Sequence, residues 1–151
     1  DMKVDFLDIS LWDVRKKAET VSGEAAEALL IEQYASLDWK ETKWTVAGKI
    51  ASSQDVEWCL EQGADFVSIG KAAILHHDFA EKALADPGFM AVETPVSETY
   101  LRNEGLGDAM VEYMKRWDGF VASGEGAAEA ARLEAARHGG GPSSNLQPDR
   151  D

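Results

Sequence analysis

Three short apolar runs, each followed by a stretch with apolar residues every three or four positions, set the plan of the first ninety residues. The runs are Val4 to Ile9, Trp44 to Ala47 and Asp65 to Ile69. Their length and their β-branched and aromatic content predict buried strands. After the first, Glu24 to Leu37 carries Ala26, Leu30, Tyr34 and Leu37 at helical spacing, and the polar stretch Arg15 to Gly23 reads as loop. After the second, Ser52 or Ser53 supplies an N-cap for a helix running to Gln62, with Val56, Cys59 and Leu60 on one face and Gly63 as its stop. After the third, Phe79 to Ala85 reads as a helix ended by Asp86-Pro87-Gly88. The order βαβαβα predicts a parallel sheet with right-handed crossovers, whose functional loops gather at the C-terminal ends of the strands.

The pattern changes beyond residue 90. Thr94 to Arg102 reads as extended or loop, and Gly107 to Trp117 as an amphipathic helix with Met110, Val111 and Met114 facing inward. Glu125 to Arg137 is rich in Ala and Glu with one large apolar residue, Leu133, which predicts a solvated or frayed helix. His138 to Asp151 reads as a disordered tail. The expected organisation is 1–90 as βα units, 91–122 as a partly helical extension, and 123–151 as helix and tail.

Composition narrows the function classes. The 151 residues carry 15 Lys and Arg against 28 Asp and Glu, a formal charge of −13, which repels phosphate backbones and anionic lipid and argues against nucleic-acid or membrane-surface partners. The single cysteine, Cys59, makes no intrachain disulfide and no Cys-rich zinc site, so a reducing, cytoplasmic setting is expected and no metal is assigned. No apolar run approaches the roughly 18 residues that span a bilayer. The chain opens almost directly on a strand without an initiator methionine, and the expectation is a piece of a longer protein.

Two segments carry candidate chemistry. Gly48-Lys49 follows the second strand and Gly70-Lys71 the third. Glycine lets a backbone approach a ligand, amides after a strand point at an anion, and an ammonium neutralises it. Taken singly, each is also what an ordinary βα turn needs. Together they fall at neighbouring strand ends, as in the phosphate sites of (β/α)₈ barrels. His76-His77 is adjacent rather than spaced at i and i+4, so it reads as a loop pair and not a chelate. Cys59 reads as a small core residue, and the five tryptophans as packing.

From Val4 to about Phe89 the chain resembles the C-terminal part of the NADH:flavin oxidoreductases of the Old Yellow Enzyme family. Val4-Asp5-Phe6-Leu7-Asp8-Ile9-Ser10 looks like the family's sixth barrel strand. Val46-Ala47-Gly48-Lys49-Ile50 with Ser53-Gln54-Asp55-Val56-Glu57 and Leu60-Glu61-Gln62-Gly63 looks like the seventh strand and its helix. Ala64-Asp65-Phe66-Val67-Ser68-Ile69-Gly70-Lys71-Ala72, with Asp78-Phe79 and Lys82-Ala83, looks like the eighth. Tyr100 to Phe120 loosely resembles the helical extension that follows the family's barrel.

The resemblance implies an α/β fold, the C-terminal portion of a (β/α)₈ TIM barrel with strands 6 to 8, their helices and a C-terminal extension. It implies FMN as cofactor, NADH or NADPH as reductant, and a small-molecule acceptor such as an activated alkene. Gly48 and Lys49 match the family's seventh-strand phosphate loop, and Gly70 and Lys71 its eighth-strand Gly-Arg pair, with Lys71 in place of arginine and so without the bidentate fork. The family's substrate-anchoring His pair (or His/Asn) and its tyrosine proton donor come from earlier strands, so no catalytic residue is assigned here and the isolated chain is expected to be inactive. A complete barrel takes about 250 residues, so closure is expected from a missing N-terminal half or from a second copy. The alternatives are a non-catalytic half-barrel that binds a phosphate-bearing ligand, and a different phosphate-binding TIM-barrel enzyme.

Overall fold

The computed structural model describes residues 4–19 and 25–137. In chain order these form β1 (Phe6–Ser10), β2 (Lys17–Glu19), β3 (Ala25–Leu29), α1 (Leu30–Ala35), β4 (Lys43–Ala47), α2 (Ser53–Glu61), β5 (Phe66–Ser68), α3 (Lys71–Leu75), α4 (Phe79–Ala85), α5 (Glu98–Asn103), α6 (Asp108–Met114) and α7 (Glu125–Arg137). They fall into two compact units divided after Val92. No helix among the described residues is long and apolar enough to cross a membrane.

The first unit is mixed α/β, built on a three-stranded parallel sheet in the order β1-β4-β5. The central strand aligns Ile9, Val46 and Val67 in one row and Ser10, Ala47 and Ser68 in the next. Because side chains alternate along a strand, one face carries Ile9, Trp44 and Val46, which form a core with Ile31, Ile50 and Cys59. The opposite face carries exposed Phe6, Asp8 and Phe66. There the Phe6 and Phe66 rings lie 5.8 Å apart, and the Ser68 hydroxyl donates to Asp8 Oδ1 at 3.2 Å. Asp65 anchors the start of β4 by accepting from Lys43 Nζ at 2.6 Å and from the Trp44 N–H at 3.1 Å. The Lys43 ammonium holds the Asp65 carboxyl below the usual carboxylate range, with the Trp44 N–H adding to it. Trp44, buried, stacks on Trp39 at 5.5 Å and 9°.

Several expectations are corrected. The helix expected over Glu24 to Leu37 starts only at Leu30, because Leu30 N–H donates to Lys16 O and Leu29 N–H is taken by the Glu32 carboxylate. Ala25–Leu29 instead pairs antiparallel with Lys17–Glu19, so part of the expected loop Arg15 to Gly23 is strand. Thr20 to Glu24 lie outside the described residues. Leu60 and Met110, expected inward, are 44% and 41% exposed, whereas Cys59, Val111 and Met114 are buried.

In the second unit, the expected extended segment Thr94 to Arg102 is helical from Glu98 on, in α5. Its N-cap Ser97 accepts from the Tyr100 N–H at 3.0 Å. Ser97 also donates its N–H, at 2.8 Å, and its hydroxyl to the Glu134 carboxylate on α7. That polar clamp ties the Ala/Glu-rich helix to the N-terminus of α5. The expected tail His138 to Asp151 lies outside the described residues.

Candidate functional site

Strands β4 and β5 run parallel as neighbours, so the segments that follow them, Gly48-Lys49 and Gly70-Lys71, emerge at the same end of the sheet. The third loop at this end, Leu11 to Arg15 after β1, is bonded to the first of them. Leu11 N–H donates to Ala47 O at 2.7 Å and Val14 N–H to Gly48 O at 3.1 Å. Gly48 has φ +147, and a Cβ there would lie 2.0 Å from the Leu11 carbonyl oxygen. Its missing side chain is therefore required by the neighbouring loop.

Lys49, at φ +52, points its ammonium to Asp13, 3.1 Å from Oδ2. Asp13 Oδ1 accepts from the Arg15 N–H at 2.9 Å. This backbone hydrogen bond, opposed by partial burial and reinforced by Lys49, holds the Asp13 carboxyl below its ordinary value. The Arg15 guanidinium reaches Asp55 Oδ1 at 2.9 Å and lies 4.2 Å over the Trp58 ring. Burial pushes the Asp55 carboxyl up, but hydrogen bonds from Arg15, Ser52 and the Ala51 N–H outweigh it and leave it below the usual range. Ser52 caps α2, and Asp55 accepts from the Ala51 N–H at 3.2 Å and the Ser52 hydroxyl at 2.8 Å. A carboxylate of the chain already serves the positive end of α2.

Gly70 contrasts with Gly48. It caps α3, and nothing lies within 4 Å of where its Cβ would be. Lys71 follows as an exposed first residue of α3. Against a flavin phosphate the four residues therefore divide. The Gly70 backbone leaves room for an anion, with the exposed Lys71 next in sequence, so this turn fits. Gly48 is committed to Leu11, and Lys49 is engaged by Asp13.

The histidines part company: His76 is buried and His77 exposed. His76 Nε2 accepts from the Val92 N–H at 2.9 Å, and its ring meets Phe89 edge-on at 5.3 Å. Cys59 is fully buried, and burial pushes its thiol up to about 11, so it makes a poor nucleophile. Asp13 and Arg15 were not singled out in the sequence, Asp55 entered only within the helix segment of the resemblance and Trp58 only as packing; the alternation Asp13-Val14-Arg15 after a strand and the cap spacing Ser52 to Asp55 were the local signals. No family model, curated protein or solved structure compared with the chain matches it.

Proposed function

We propose that this chain carries the phosphate-binding part of an FMN-dependent oxidoreductase, the C-terminal portion of a flavin-binding TIM barrel, which takes electrons from NADH or NADPH and delivers them to a small-molecule acceptor such as an activated alkene. The observation that carries the reading is the emergence of Gly48-Lys49 and Gly70-Lys71 from adjacent parallel strands, with open space beside Gly70. The resemblance of Val4 to Phe89 to the Old Yellow Enzyme family supports it. FMN, when bound, supplies the hydride chemistry. The residues of this chain bind and orient: the backbone at Gly70 approaches the phosphate, and Lys71 neutralises it as a point charge. None of them is assigned to proton transfer.

Titration of FMN against the purified chain, followed by flavin fluorescence with riboflavin as the phosphate-free control, tests the reading. FMN is expected to bind at least about tenfold more tightly than riboflavin, a difference of 1.4 kcal/mol. Gly70→Ala, whose methyl enters the open space, and Lys71→Ala are each expected to erode that difference, the lysine variant most at low ionic strength. Equal affinity for the two flavins, or unchanged FMN affinity in folded Gly70→Ala, overturns it. A sugar phosphate bound in preference to FMN would favour a different phosphate-binding barrel enzyme.

A further inference from the structure

Lys49 stands on the loop of the central strand, with Asp13 arriving from the β1 side and Gly70-Lys71 from the β5 side. Its backbone is fixed, because Leu11 and Val14 hold Ala47 and Gly48 by the two hydrogen bonds at 2.7 and 3.1 Å. Only the side-chain torsions are free to move the ammonium. Neighbouring strands are about 4.8 Å apart, a gap the four-carbon stem of lysine spans.

We propose that Asp13 sets the affinity of this end of the sheet for phosphate monoesters, by holding Lys49 on the β1 side until a dianion draws it across to the β5 side. The inference rests on the phosphate-site reading and adds a residue the family resemblance does not supply. The exchange is physically balanced. The Lys49 side chain is 64% exposed and that of Asp13 33%, and ion pairs of this exposed kind are weak enough to be broken by a competing dianion. Asp13 keeps its hydrogen bond from the Arg15 N–H when Lys49 leaves, so the carboxylate stays in place and ready to take Lys49 back. Arg15 does not replace Lys49, because its guanidinium is committed to Asp55 and stacked over Trp58.

The experiment is a double-mutant cycle of FMN titrations on wild type, Asp13→Asn, Lys49→Ala and the double variant, at low ionic strength and again in roughly 0.3 M salt, where the Debye length falls to about 6 Å. Asparagine keeps the acceptor for the Arg15 N–H and removes only the charge. Asp13→Asn is expected to bind FMN about three- to fivefold more tightly at low salt, within the range of one exposed ion pair. Lys49→Ala is expected to bind more weakly, and the double variant to match Lys49→Ala within about twofold. Tightening by Asp13→Asn that persists in full when Lys49 is absent overturns the exchange, as does an Asp13→Asn affinity equal to or weaker than wild type. Failure of all four proteins to bind FMN overturns the phosphate-site reading itself, a distinct result.

Discussion

Gly48 is a glycine because the Leu11 carbonyl occupies the volume its side chain would need, and Gly70 is a glycine with open space beside it. The same residue type at equivalent points of consecutive βα turns thus answers to different pressures. Gly48→Ala adds a methyl 2.0 Å from a backbone oxygen at φ +147, and is expected to destabilise the first unit by roughly 2–4 kcal/mol. Gly70→Ala is expected to stay within about 1 kcal/mol of wild type. Guanidinium titrations followed through tryptophan fluorescence, four of the five tryptophans lying in the first unit, measure both. A tolerated Gly48→Ala would mean that the loop after β1 yields easily, and the hold on Lys49 would loosen with it. The glycine-lysine spacing was legible in the sequence, but which glycine is packed and which is open was not. That depends on a loop contacting the site from 36 and 40 residues away, through Asp13 to Lys49 and Arg15 to Asp55.

Helix α2 is the element in which sequence and structure agree most closely, since a serine cap, an apolar face through Cys59 and a glycine stop all act within one short window. Its first turn also holds Asp55, whose ionised form receives hydrogen bonds from Arg15, Ser52 and Ala51. With the folded value below the unfolded one, the unfolded chain binds the proton more readily. The contribution of Asp55 to stability is therefore present above about pH 4 and lost as pH falls through the folded value. Asp55→Asn is expected to lose roughly 1–2 kcal/mol at pH 7, and denaturation midpoints of variant and wild type are expected to converge as pH falls below the ordinary carboxylate range. A gap independent of pH would assign the loss to geometry instead of charge. Other elements were hidden for physical reasons. The periodicity of Ala26, Leu30, Tyr34 and Leu37 is helical, yet only Leu30 and Tyr34 fall within the helix and Ala26 lies in β3, because backbone groups at Lys16 and Lys17 capture the segment before Leu30. The six residues of α5 are too few for a period to show, and α7 is held by Glu134, a polar anchor that hydrophobic patterning does not register.

At the scale of the whole molecule, the chain is two units, and its single thiol lies in the core of the first. With its thiol pushed up to about 11 by burial, Cys59 is about one part in a thousand thiolate at pH 8, and its side chain is out of reach of a reagent in the folded chain. A disulfide reagent is expected to leave it unmodified in native buffer over a period that fully labels a free thiol, and to react at once in denaturant. Labelling at the free-thiol rate under native conditions would show that this core opens readily. The sheet in that unit joins strands made far apart in time. Phe6 pairs with Lys43, 37 residues on, and β5 then joins β4 on its far side. At about 5–20 residues per second, β1 leaves the ribosome seconds before the strand that will pair with it. Leu7 and Ile9 spend that interval without the strand they pair with here, so translation speed between Ser10 and Lys43 governs how long this pairing waits.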